Sequence, residues 1–292
     1  MENLSELPSE ITNFKFPKNM ENEKEQREKD LAALKQEAWD AQDGEMEMLL
    51  DKGAQNYFDA EFPDFKNAFV KEMDTVVCID EGCSHKDVSG EGKLSVAGGG
   101  ILLPAHSEEE RLEIAAKFFG EMGIKNVTSH EGCGAAKMAY VRDNPGSNPT
   151  QEQVNNYAIA WAEKLAQKMG ETAYNIPLSE MERPAEFHTA RAVYFDGVGG
   201  FNPNKEIGLP QGFVISKRFI PGEYPLDELK VAIGIAFGGH GFGKLFTEKS
   251  PFVIVPMAKS LEELNSLERE IKNALEGNEH ISKIKVDGVI VK

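Results

Sequence analysis

The sequence predicts an α/β fold, with a parallel β-sheet core flanked by helices. Two observations carry this. Short apolar, β-branched runs recur along the chain, and helical periodicities separate them. The elements then follow in order.

Residues 1 to about 20 hold Pro8 and Pro17 and little periodicity, so they read as an arm. From Glu21 to Lys52 the pattern is helical, with Leu31, Leu34, Ala38 and Trp39 on one face. Such a helix needs a packing partner, either the core or a second subunit. Thr75–Ile79 (TVVCI) is a buried strand, and Lys93–Leu103 begins as a strand before three glycines. Ser107 with Glu110 opens a helix through a capping box. Lys125–Thr128 is a third strand, ending just before His130. Thr150 caps a long helix that Gly170 closes. Ala190–Phe195 is a fourth strand, followed by an Asp196-Gly197 turn.

Beyond Leu226, Val231–Phe237 and Pro251–Val255 read as strands, Leu261–Leu275 as a helix and Ile281–Val291 as a final strand or hairpin. The sequence thus divides into an N-terminal helical arm (1–55), a core (56–225) and a C-terminal α/β extension (226–292). No internal repeat is evident.

The 292 residues carry 49 acidic against 32 basic side chains, a formal charge of −17. That surface repels phosphate backbones and anionic membranes, so neither nucleic acid nor a membrane is an expected partner. No run reaches the ~20 apolar residues of a membrane helix, and no basic start precedes an apolar run at the N-terminus. Three cysteines, Cys78, Cys83 and Cys133, make a poor disulfide framework. A reducing cytoplasm is the expected location.

Thiols in that setting more often bind metal or react. His130 and Cys133 stand three apart after a strand, with Gly132 and Gly134 giving the backbone freedom to wrap an ion. Cys78 ends another strand. Sites in parallel sheets form at the carboxyl ends of strands, so Cys78, His130 and Cys133 can converge. Three soft or borderline ligands with one open position suit zinc. Cys78 alone would read as a small buried residue. Cys83-Ser84-His85 forms a second local cluster that reads as a solvent-facing loop. His106, His188 and His280 read as ordinary histidines. The glycine-rich stretch Gly238–Lys244 is no P-loop, because Leu245 stands where Ser or Thr belongs.

These segments resemble the β-class carbonic anhydrases, whose ligand segments read C-x-D-x-R and H-x-x-C-G. Here they are Cys78-Ile79-Asp80-Glu81-Gly82 and His130-Glu131-Gly132-Cys133-Gly134, 52 positions apart from Cys78 to His130. Val96–Gly100 and Ala192–Gly197 resemble further family segments, so the likeness spans roughly residues 70–200. It implies a β-carbonic-anhydrase-like core. It also implies a Zn2+ cofactor on Cys78, His130 and Cys133, a catalytic Asp80, and a homodimer or higher homo-oligomer. The reaction implied is reversible hydration of carbon dioxide by zinc-activated water. Two thiolates would leave that water less acidic than three imidazoles would. Alternatives are hydrolysis of carbonyl sulfide or carbon disulfide, or a non-catalytic zinc protein.

The sequence departs from the family at Gly82, where an arginine would pair with the aspartate. Either Asp80 then coordinates zinc and closes the site, or another cation, such as Arg191, Lys86 or Arg142, reaches it.

Overall fold

The computed structural model describes residues 18–84, 92–206, 208–220 and 222–292; the arm before residue 18, and with it His85 and Lys86, lies outside them. The chain opens with helices α1 (Lys18–Asp40), α2 (Asp43–Lys52) and α3 (Ala54–Glu61). The first α/β unit follows: β1 (Thr75–Val77), α4 (Glu81–Ser84), β2 (Lys93–Ser95), α5 (Glu108–Glu121), β3 (Asn126–His130), α6 (Gly134–Asp143), α7 (Gln151–Met169) and β4 (Thr172–Ile176). The second comprises β5 (Ala192–Asp196), β6 (Gly212–Ile215), α8 (Tyr224–Phe237), β7 (Phe252–Ala258), α9 (Leu261–Ala274), β8 (Ile284–Val286) and β9 (Val289–Ile290).

All named strands pair in parallel. They form two sheets, β2-β1-β3-β4 and β6-β5-β7-β8, with β9 also on β7. Helix α7 covers the first sheet, with α5 packed against α7, and α9 covers the second. The sheets meet near the ends of β1, β2 and β6. There Val214 N–H donates to the Ile79 carbonyl at 3.2 Å, and Ser95 N–H to Ser216 Oγ at 3.0 Å.

The two sheets repeat one plan, although no repeat is evident in sequence. Val76 on β1 faces Leu94 on β2 and Val127 on β3, and Val127 faces Ala173 on β4. Ala192 on β5 faces Gly212 on β6 and Val253 on β7, and Val253 faces Lys285 on β8. Strand order and direction correspond, and the Val76 row can be set beside the Ala192 row. Counting along each strand from these partners, Asp80 matches Asp196, whereas Cys78, His130 and Cys133 match Tyr194, Pro256 and Lys259.

Three local expectations are corrected. Val231–Phe237 is the end of α8, not a strand. Leu229, Ala232, Ile233 and Ala236 are buried at helical spacing, and the apolar run concealed that period. Strand β4 was missed because TAYNI is a largely exposed edge strand without an apolar run. The strand expected at 190–195 is β5, in the second sheet with β7 and β8, so residues on both sides of position 226 share one sheet.

The 21–52 stretch breaks into α1 and α2, and Leu34 is 50% exposed. Trp39 is buried on the chain's own core, against Phe242 and Phe246. Thr150 forms the full capping box of α7, and Gly170 ends it at φ 73°, the left-handed turn that glycine adopts without strain. No described helix is long and apolar enough to cross a membrane.

Candidate metal centre

In the first sheet, β1 has β2 on one side and β3 on the other, so the strand order reverses beside β1. Parallel sheets open a crevice at such a point, outside the carboxyl ends of the strands. Cys78 and Asp80 leave the end of β1, and His130 and Cys133 close β3 and the turn after it. Candidate ligand atoms of Cys78, His130 and Cys133 all lie within 4.8 Å of one another, and all three residues are buried.

Each donor is oriented by its local backbone. Cys133 is the N-cap of α6, and its Sγ accepts from Ala136 N–H at 3.4 Å. Gly132 turns the chain into that cap at φ 72°. Cys78 Sγ accepts from Gly98 N–H at 3.2 Å. Gly98 itself has φ 55°, and a Cβ there would meet Ile101 at 2.7 Å. His130 Nδ1 lies 2.9 Å from the Glu131 carbonyl, to which it donates. In the neutral ring the free pair is then on Nε2, a buried atom with no geometric hydrogen-bond partner. An orphaned imidazole nitrogen facing two thiols is the donor set of a thiophilic metal, and a backbone bond on the far nitrogen is how metal-binding histidines are held. These residues therefore fit a metal ion.

Asp80 sits beside this cluster and is 4% exposed. The side chain of Arg183 grips it at both oxygens, Nε to Oδ1 and Nη2 to Oδ2, each at 2.8 Å. Gly82 N–H adds a bond at 2.9 Å. Burial opposes ionisation of Asp80, but the His188 and Arg183 charges overcome it and hold the carboxyl well below the usual carboxylate range. The cation that the sequence left open is thus Arg183. Arg191 instead pairs with Asp43 and stacks on Trp39. Arg142 pairs with Asp143. A Cβ on Gly82 would fall 2.8 Å from Arg183 Cγ and 2.9 Å from Met181 Cε. The space of a residue-82 side chain is taken by the arginine that replaces it.

Sequence reasoning also missed His188 and Glu81. His188 Nδ1 lies 3.0 Å from Glu81 Oε2, and Thr189 N–H donates to Glu81 Oε1 at 2.6 Å. Burial pulls the His188 pKa down, yet Glu81 and Asp80 outweigh it and raise it. Asp80, Glu81 and His188 also group their ligand atoms within 4.8 Å. There, however, the Arg183 guanidinium already holds both Asp80 oxygens, and Glu81 is taken up by His188 and the Thr189 N–H. Cys83 is buried, and burial pushes its thiol up to about 12. It stands close to His130 without joining the three-donor set.

A cavity of about 800 Å³ borders Cys133, Arg183 and His188. Its apolar walls come from both units, with Val154 and Leu178 on one side and Ile235 of α8 on the other. The Gly238–His240 loop also lines it, and the His240 carbonyl accepts from His188 N–H at 2.6 Å. That glycine-rich loop follows α8 rather than a strand, and it braces the segment carrying Arg183 and His188. No family model matches the chain, and no curated protein or solved structure matches it.

Proposed function

We propose that the protein is a zinc-dependent enzyme that reversibly hydrates carbon dioxide, a divergent member of the β-class carbonic anhydrases. The observation that carries this reading is the Asp80–Arg183 pair beside Cys78, His130 and Cys133. It supplies, from a distant segment, the cation missing at Gly82. When bound, zinc would supply Lewis acidity toward water, whose pKa falls to about 7 in favourable sites.

The chain's own residues do the rest. Cys78 and Cys133 as thiolates and His130 through Nε2 would hold the ion. Arg183 occupies both oxygens of Asp80, keeping it ionised and away from the metal. Asp80 retains lone pairs to accept a hydrogen bond from the attacking water and fix its direction. Val154, Leu178 and Ile235 offer an apolar approach for a small uncharged substrate. Those walls suit carbonyl sulfide or carbon disulfide equally, and this is the second reading. The closed-site alternative is disfavoured by Arg183, which holds the carboxylate that would close it.

Stopped-flow hydration from pH 6.5 to 9 on zinc-loaded protein tests the assignment. Activity that rises with pH and falls at least about 100-fold in Arg183→Ala is expected, the order of one positioned acid–base group. Zero activity across that range with zinc fully loaded overturns it and leaves the sulfur-containing substrates to be assayed.

A further inference from the structure

We infer that Glu228, on α8 of the second unit, is a positioning residue for the metal centre of the first, acting through the Ala97–Gly100 turn. The inference rests on the zinc reading above. Glu228 is 1% exposed, and its Oε1 accepts from Ala97 N–H at 2.5 Å across 131 positions of chain. The next N–H along, that of Gly98, is the one that donates to Cys78 Sγ.

Within this turn Gly99 N–H donates to the Val96 carbonyl at 2.9 Å and Ile101 N–H to the Gly98 carbonyl at 3.4 Å, and neither bond fixes the Ala97 N–H. Gly98, Gly99 and Gly100 all have positive φ, at 55°, 61° and 85°. Consecutive glycines in that region have many accessible conformations and lose much entropy when fixed. Besides Cys78 itself, two side chains pin the turn. Trp161 Nε1 donates to the Gly99 carbonyl at 3.0 Å at one end, and Glu228 accepts at the other. The Ala97 and Gly98 N–H groups belong to successive planar peptide units, joined only through the φ and ψ of Ala97. By holding the first unit Glu228 limits how the second can turn, and so helps set the donor that Cys78 Sγ accepts from.

The surroundings argue against a packing role alone. Burial pushes the Glu228 carboxyl up to about 8, and Tyr224, one turn earlier on α8, faces the same carboxyl. A leucine would fill that volume but leave the buried Ala97 N–H without its acceptor.

Three variants test this by metal binding rather than activity. Glu228→Leu keeps the volume and removes the acceptor, Glu228→Ala removes both, and Glu228→Gln keeps an acceptor for Ala97. Zinc affinity is measured by chelator competition, and the thiolate-to-cobalt charge-transfer band is recorded on the cobalt-substituted protein. We expect Glu228→Leu and Glu228→Ala to lose about 10- to 100-fold in zinc affinity and to shift the band, as outer-sphere substitutions do. Glu228→Gln should stay within about threefold of wild type and keep the band. Should the leucine variant not fold, Glu228→Ala carries the comparison.

Wild-type affinity and an unchanged band in the folded leucine or alanine variant would overturn the inference. So would equal losses in Glu228→Gln and Glu228→Leu. A wild-type chain that binds neither zinc nor cobalt overturns the zinc reading together with this one. One that binds zinc tightly but hydrates no carbon dioxide overturns only the assigned reaction.

Discussion

Arg183 closes on Asp80 from 103 residues away, with one nitrogen on each carboxylate oxygen. Both side chains are almost wholly buried, at 3% and 5% exposure. Removing one partner of such a pair leaves an uncompensated buried charge, which costs about 3–5 kcal/mol. Arg183→Ala should lose stability on that scale in urea unfolding.

Gly82→Arg should not improve the site. The new side chain would start inside the space of Arg183 Cγ and Met181 Cε, so that variant is also expected to be destabilised. Combining Gly82→Arg with Arg183→Ala frees that space and restores a cation two residues after Asp80. A double-mutant cycle should therefore show favourable coupling of 1 kcal/mol or more, within the range of residues in contact. Additive losses would mean that the two positions do not share one space.

How much of this was legible in the sequence depends on distance along the chain. Cys78, Asp80, His130 and Cys133 stand in two short segments at the ends of apolar runs, and parallel-sheet logic brings those ends together. Arg183 and His188 lie in an irregular stretch between β4 and β5, where no periodicity places a side chain. Their partners, Asp80 and Glu81, are more than 100 positions away. The common plan of the two sheets is hidden in sequence, because of the matched positions only Asp196 repeats a site residue. Only strand register aligns Pro256 with His130 and Lys259 with Cys133.

His188 and Glu81 provide a pH test. The His188 pKa is lowered by burial and by Arg183 but raised overall by Glu81 and Asp80. A raised folded-state value means that the folded protein holds the proton more tightly. Its stabilisation is complete below the unfolded value of about 6.5 and is lost as pH rises through the folded value. The stability gap between wild type and His188→Gln should therefore be larger at pH 6 than at pH 9. Denaturant titrations at the two pH values measure it, and a gap that widens toward pH 9 contradicts the assigned ion pair.

Glu228 makes a second pH prediction. Burial raises its carboxyl from 4.5 to about 8. Between those values the folded state keeps a proton that the unfolded state has released, so stability falls as pH rises, by at most about 1.4 kcal/mol per unit. Glu228→Gln cannot ionise and escapes this loss. Its stability relative to wild type should rise from pH 5 to pH 8 and level off above. A difference that stays constant across that range would show that Glu228 titrates normally in the folded protein.

The shared plan of the two sheets bears on metal content. Each has a strand-order reversal, beside β1 and beside β5, where an ion could sit. The second does not carry the same donors. Tyr194 replaces Cys78 and donates its hydroxyl to the Pro210 carbonyl at 2.6 Å. Pro256 and Lys259 replace His130 and Cys133 and offer neither an imidazole nor a thiolate. Asp196 persists, but its oxygens accept from the N–H groups of Val198, Gly199 and Phe201 and so serve the turn after β5. Elemental analysis after zinc-supplemented expression should therefore give about one zinc per chain, and Cys78→Ser or Cys133→Ser should bring it close to zero. Two zinc ions per chain, with one surviving both substitutions, would mean that the second unit binds metal through residues that the register correspondence does not identify.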